Sequence, residues 1–198
     1  MGYAFEITVS NSVRNQIQNV PGYFGTGTGG TFAGVDCPAG TLCARNGLVP
    51  SKGYESITPA IMNGNTWYMN AAANGAAGLS GDHTGIYACN PYDVNKDTSG
   101  DNQWNLGAKT LGLSIPAGTR GDFTEIIINE QYTFGTDNFT AAPESENVYC
   151  TIANGKLTAS ASVPDTGAGL YFKILRTKNF TEGTTFGGVG YVCQALRA

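Results

Sequence analysis

The sequence predicts an all-β protein: a single β-sandwich or β-barrel domain of about ten short strands, with an extended N-terminal arm. Three observations carry that reading. Apolar residues recur at period two in short runs, and Gly, Pro and Asn-Gly corners separate the runs. The chain also has 28 glycines and only 13% charged residues, a composition that favours turns and strands over helices.

The stretch from Trp104 to Phe139 is the most legible, and it reads as a β-hairpin. Leu111, Leu113 and Ile115 alternate with small or polar residues. Pro116-Ala117-Gly118 forms a turn, and Phe123 to Asn129 is a β-branched run long enough to cross a sheet. Ile126-Ile127-Ile128 is apolar on both faces, which predicts a strand covered on both sides. Asp122, Glu125 and Glu130 fall at strand ends or alternate outward, where carboxylates stay solvated.

With 198 residues, one domain with an appendage is expected. So few charges leave the surface to Asn, Thr, Ser and backbone, which suggests that much of it is buried in an assembly. A net charge of −4 argues against holding nucleic acid, which needs a positive face. No apolar run approaches the ~18 residues of a membrane span.

The cysteines, Cys37, Cys43, Cys89, Cys150 and Cys193, are odd in number, and MGYAFEITVS has neither a basic nor an apolar leader region, so a reducing cytoplasm is expected. Cys37 and Cys43 straddle a second Pro-Ala-Gly turn and could face each other across a hairpin. The compartment favours buried free thiols over a disulfide there. The sequons Asn138-Phe139-Thr140 and Asn179-Phe180-Thr181 carry no meaning without secretion.

In chain order, Tyr3, Phe5, Ile7 and Val9 line one face of a period-two strand. Val13, Ile17 and Val20 permit one short helix, closed by Pro21-Gly22, and Gly25 to Gly30 is linker composition. Residues 1–31 therefore read as an arm and glycine-rich linker, and residues 32–198 as the β-rich domain. A first strand folded back into the same sheet is the equal alternative. Phe32 to Asp36 and Leu42 to Ala44 flank Pro38-Ala39-Gly40 as a hairpin, with Asn46-Gly47 as the next turn. Thr66 to Met69 follows another Asn-Gly corner. Asn70 to Gly85 reads as a surface loop, Ile86 to Cys89 as a buried strand and Asp93 to Asn105 as polar loop. Val148 to Ile152, Asn154-Gly155 and Lys156 to Ala161 give the strongest hairpin signal, and Leu170 to Leu175 and Val189 to Leu196 complete the strands.

Motifs for chemistry fail on context. Gly25-x-Gly27-x-x-Gly30 has the letters of a dinucleotide fingerprint but is followed by a strand-like run broken by proline. Asp93-x-Asn95-x-Asp97 has the spacing of half a calcium loop, with Thr98 where glycine is needed and Trp104 where the bidentate glutamate belongs. His83 is the only imidazole, and pairing it with Ser80 or a cysteine requires an orienting carboxylate and a cleft that no spacing shows. Gly78-Leu79-Ser80-Gly81 misses the nucleophile elbow by one position. Cys37 and Cys43 are too far apart for a zinc knuckle. No catalytic residue, no metal ligand and no cofactor is therefore assigned.

Three segments together resemble head decoration, or cement, proteins of tailed bacteriophages: Gly85-Ile86-Tyr87-Ala88-Cys89-Asn90-Pro91-Tyr92-Asp93-Val94-Asn95, Leu106 to Leu113 with its Pro-Ala-Gly turn, and Thr151 to Leu157. The resemblance is diffuse, spans roughly residues 32–198 and has no signature motif. It implies a β-rich structural virion protein that binds the outside of a capsid and bridges its subunits, often as a symmetric oligomer, a trimer being expected. The implied partner is the major capsid protein. The expected location is the capsid surface of the virion after synthesis in the host cytoplasm, with no direct nucleic-acid or membrane contact and no enzymatic activity. Partner-binding residues are expected at Tyr3, Phe5, Ile7, Val9, Tyr23 and Phe24. A head-fibre base, tail or baseplate subunit is the near alternative; a carbohydrate-binding module using Trp67, Tyr68 or Trp104 is the more distant one.

Overall fold

The computed structural model describes residues 3–9, 19–49, 66–76, 81–91, 114–144, 148–182 and 185–198. The protein is all-β. Its described strands are β1 (Phe5–Val9), β2 (Asn19–Thr26), β3 (Ala33–Gly34), β4 (Cys37–Pro38), β5 (Leu42–Leu48), β6 (Trp67–Ala71), β7 (His83–Asn90), β8 (Ser114–Ile115), β9 (Arg120–Ile127), β10 (Gln131–Gly135), β11 (Tyr149–Ala153), β12 (Lys156–Ser160), β13 (Leu170–Glu182) and β14 (Thr185–Arg197).

One layer is an antiparallel sheet in the order β1-β10-β14-β13-β11-β12. The other runs β3-β2-β6-β5-β7-β9, and β2 pairs with β9 as well, so β2, β6, β5, β7 and β9 close into a ring. The seam is antiparallel to β9, with Val20 opposite Phe123, and parallel to β6, with Tyr23 opposite Tyr68. Sandwich and barrel, the two architectures expected, are thus combined. Phe5, Tyr132, Phe134, Phe172 and Ile174 of the sheet share one core with Leu42, Ile86, Ala88 and Ile126 of the ring strands. A second core, inside the ring, holds Phe24, Cys43, Met69, Tyr87, Cys89 and Phe123. Successive residues of β7 therefore serve different cores, because side chains alternate across a strand. That is why its apolar run is continuous rather than alternating.

A ring of so few strands has a narrow interior. Gly22 and Gly121 stand opposite each other in the β2–β9 seam. A Cβ on Gly22 would come within 2.5 Å of Met69 Cγ, and one on Gly121 would collide with Ile115. These glycines are there for space, not for flexibility.

The two Pro-Ala-Gly corners differ from the hairpins expected. Thr41 N–H bonds to the Pro38 carbonyl (3.1 Å) and Thr119 N–H to that of Pro116 (3.0 Å), with Gly40 and Gly118 at φ 75° and 73°. A type II turn demands this positive φ at its third position. The strands before the corners do not pair with those after them. β4 pairs with β8, Cys37 opposite Ile115, while β9 pairs with β7 and β2. Leu111 and Leu113 lie outside the described residues. Asn46-Gly47 is not a turn but part of β5, and Asn154-Gly155 is the predicted tight turn, at φ 49° and 79°.

The boundary at residue 31 does not appear in the fold. β1 pairs antiparallel with β10, Phe5 opposite Phe134, and buries Phe5 against Tyr132 and Phe134. β2, within the expected arm, supplies the ring's seam, and the glycine stretch turns it back onto β3, Gly25 opposite Gly34. Asn19 and Val20 are strand; the rest of the predicted helix lies outside the described residues. Of the two readings of the N-terminal strand, the folded-back one describes this chain. Asn138 locks it: its Oδ1 accepts the N–H groups of Ala4 (3.1 Å) and Gly135 (3.0 Å), and its Nδ2 donates to the Ala39 carbonyl (2.8 Å).

Asn138→Ala would strand Ala4 N–H and the Ala39 carbonyl in a dry site, and we expect a loss of about 2–4 kcal/mol, read as a lower urea midpoint at unchanged slope. A chain beginning at Thr31 lacks β2, so its ring cannot close. It should show no cooperative unfolding transition, whereas removal of an independent arm would preserve one.

Candidate functional site

Of the six residues expected to bind a partner, Phe5, Ile7 and Val9 are on β1 of the sheet, Tyr3 just precedes it, and Tyr23 and Phe24 are on β2 of the ring. Tyr3 is half-buried with Lys156 Nζ 5.2 Å from its ring, Phe5 is buried, and Ile7 packs at the edge of the main core. Val9 is opposite Gln131. Tyr23 and Phe24 belong to the ring, Tyr23 opposite Arg120 and Phe24 buried inside. Phe5 and Phe24 are thus committed to this chain's own cores.

The most polar cluster is one that the sequence pattern placed elsewhere. Glu125 was expected to face solvent, and Glu130 likewise; both are buried, each 3% exposed. β9, which carries Glu125, is covered on one side by the sheet and on the other by the ring, and Glu130 is buried in the turn that follows it. The rule that puts Ile126 to Ile128 under cover on both faces applies equally to the residue before them. Glu125 Oε1 accepts the Gly85 N–H (3.2 Å) and Oε2 contacts His83 Nδ1 at 2.9 Å. Which atom donates in this contact depends on the imidazole tautomer, and Nε2 is the ring nitrogen not engaged in it. The His83 side chain is 43% exposed and that of Glu125 4%, so an accessible imidazole is oriented by a buried carboxylate. A register shift between His83 and Tyr87 in the β7–β9 pairing accompanies this geometry.

Such a dyad is two-thirds of an acid–base relay, and among the described residues the hydroxyl next to His83 in sequence is committed elsewhere. Thr84 Oγ1 donates to the Ile126 carbonyl (2.5 Å) and accepts the Ile86 N–H (3.1 Å). The cysteines are free thiols, all buried, and burial raises the pKa of each. Cys150 is pushed up to about 12. Cys37 and Cys43 are close, as the spacing suggested, in a group with Cys89, whose Sγ donates to the Cys37 carbonyl (3.3 Å). No group of three or more His, Cys, Asp or Glu side chains among the described residues is arranged to hold a metal ion. Ser80, Trp104 and the Asp93-Asn95-Asp97 run lie outside the described residues.

Arg45 stands 4.7 Å over the Trp67 ring and 5.2 Å from that of Tyr87, while Tyr68 packs against Phe32 at 4.6 Å. Each of these aromatic rings thus has a cation or another ring against it.

A different feature is built for contact through the backbone. β13 and β14 are each 13 residues long, and they outrun their neighbours. The β11 register on β13 stops at Lys173, and the β10 register on β14 stops at Gly190. Beyond these, Asn179 pairs with Val189, Phe180 with Gly188, Thr181 with Phe186 and Glu182 with Thr185, with no third strand alongside among the described residues. The ribbon is anchored where Lys178 Nζ meets Glu6 Oε2 of β1 at 2.6 Å. Length alone could have signalled it: the sequence between Leu170 and Leu196 has no Pro and no Asn-Gly corner.

Comparison with protein-family models, with curated proteins and with solved structures finds no match.

Burial makes the thiols a measurable property. They stay neutral in the folded state to higher pH than in the unfolded chain, so their contribution to stability is complete below the ordinary thiol value of 9.0 and is lost as pH rises above it. We expect the urea midpoint to fall progressively from pH 9 towards 12. Below pH 9 alkylation should be negligible in the folded protein and should give five adducts in urea. Fewer adducts would reveal a disulfide.

Proposed function

We propose that the chain is a structural virion protein that decorates a bacteriophage capsid from outside and stabilises it by bridging capsid subunits. The observation that carries this reading is the β13–β14 ribbon, whose outer pairs from Asn179–Val189 onward have no third strand alongside among the described residues. An isolated two-stranded ribbon is marginal in water, and its unpaired N–H and C=O groups are a template for another chain's strand. Its four outermost pairs project about 13 Å at the rise of an extended strand, enough to reach across a seam between neighbouring subunits. A chain with only 13% charged residues supports the same reading, since short polar groups are buried at modest desolvation cost.

In this reading the partner is the major capsid protein, and the decoration protein acts as a symmetric oligomer, a trimer for preference. Several weak contacts on one shell act together through effective concentration. No turnover, cofactor or metal is required, and the residues that matter are those of the ribbon rather than the six named at the N-terminus. Binding only the assembled shell, the protein stabilises that state by mass action.

The test replaces residues 179–189 by an Asn-Gly turn, which closes the hairpin where its neighbours end. The shortened chain should unfold at the same urea concentration as the full one but fail to sediment with assembled capsid shells. Shells loaded with the full protein should release their genome at a higher temperature than bare shells. Identical release curves at saturating occupancy would reject the reading. Retained glycan binding that Trp67→Ala abolishes would then favour the carbohydrate-binding alternative.

A further inference from the structure

We propose that Asn46 is a site of spontaneous covalent modification, converting to aspartate and isoaspartate through a succinimide, and that the fold holds Asn154 back from the same reaction. Both are followed by glycine, so neither has a Cβ on the next residue to obstruct ring closure. What separates them is the nitrogen that must attack.

The backbone nitrogen of the glycine adds to the asparagine Cγ. A C–N bond forms, the side-chain amide leaves as ammonia with the proton released by that nitrogen, and a five-membered imide remains. Water then opens the imide at either carbonyl, giving aspartate or isoaspartate. The sum is asparagine plus water going to an acid plus ammonia. Water is the only co-reactant, and no electrons change hands.

At Asn46 the fold leaves room for this. Asn46 and Gly47 are both exposed, and they fall in the register shift of β5 between Arg45, opposite Met69, and Leu48, opposite Trp67. Two residues of β5 thus stand against the single Tyr68, and Gly47 at φ 95° is the left-handed glycine that such a bulge uses. The space where its Cβ would be is open except for Thr28 Cγ2 at 3.9 Å. A glycine at a strand bulge with open space around it can rotate its nitrogen toward the preceding side chain.

At Asn154 the fold withholds it. Gly155 is buried, its N–H donates to the Ala72 carbonyl (2.9 Å) and its carbonyl accepts the Leu42 N–H (2.9 Å). A Cβ there would already touch Leu42 O and Thr41 Cγ2 at 3.1 Å, so the peptide has no room to turn. Attack by this nitrogen breaks both hydrogen bonds and lifts the β11–β12 turn off the ring. The expected difference is about tenfold in rate, equivalent to roughly 1.4 kcal/mol in barrier.

The experiment incubates the full chain in weakly alkaline buffer, folded and in urea, and follows peptides by mass spectrometry with fragmentation that separates aspartate from isoaspartate. The peptide with residues 46–47 should convert about tenfold faster than the one with residues 154–155 in the folded protein, and the ratio should approach one in urea. Asn46→Gln should abolish the change in its peptide. Equal rates in the folded protein, faster conversion at Asn154, or conversion at Asn46 only in urea would each overturn the proposal. The other two Asn-Gly steps, Asn63-Gly64, which lies outside the described residues, and Asn74-Gly75, are each read in their own peptides. Because every event adds one negative charge, anion exchange gives an independent count.

Discussion

Closure of the ring by β2 is the contact on which the rest of the molecule depends. β2 follows β9 from Asn19 to Tyr23 and takes up β6 from Gly22 to Phe24, so one strand serves as the seam for both. Pro21, which has no N–H to give, sits opposite Asp122 just before the β6 register begins. With the ring closed, β5, β7 and β9 have an inner face; with the sheet laid against them, Leu42, Ile86, Ala88 and Ile126 are buried on the outer face as well. Polar groups on these strands must then find partners within the protein. Tyr132 Oη accepts the Ile127 N–H (2.9 Å) within this doubly covered region, and buried Thr124 donates from its Oγ1 outward to Asn19 Oδ1 (2.8 Å).

The layers are joined by a few backbone contacts as well as by shared core. Gly155 is bonded to Leu42 and Ala72 of the ring layer, and Leu170 N–H bonds to the Gly75 carbonyl (2.7 Å) where no Cβ could fit. Asn138 does the same at the other end of the sheet, satisfying the N-terminal strand and the first Pro-Ala-Gly corner with one side chain. Its position in a sequon is incidental: an amide bonded at both ends and 1% exposed offers nothing to a glycosyltransferase.

Local rules recovered what is local. Alternation located β1, continuous apolar runs located β7 and β9, and the Asn-Gly corner located the β11–β12 hairpin, whose turn at Asn154-Gly155 is the one its residue types require. Pairing was less legible, because it depends on residues far away. The Pro-Ala-Gly corners looked like hairpin turns, and only tertiary contact shows β4 and β8 turning to each other. β2 was hidden by its own composition: Pro21, Gly22 and Gly25 read as breakers, although the seam of a narrow ring needs small residues. Glu125 was misplaced by assuming that an acid marks an outward face. Whether β1 would pair within the chain was undecidable from its own residues, since the lock is Asn138, far along the sequence.

The ring seam joins residues 19–26 to residues 120–127, so it cannot form until most of the intervening chain exists. β1 waits for β10, and β10 for β14, which ends at Arg197. During synthesis β1 and β2 therefore leave the ribosome before the strands they pair with, and the sheet can be completed only once β14 has emerged. A chain wired this way is vulnerable to pairing with its neighbours on the same polysome. Its sparse charges give little electrostatic protection during that interval, which makes the rate of translation and the supply of chaperones part of what determines its yield.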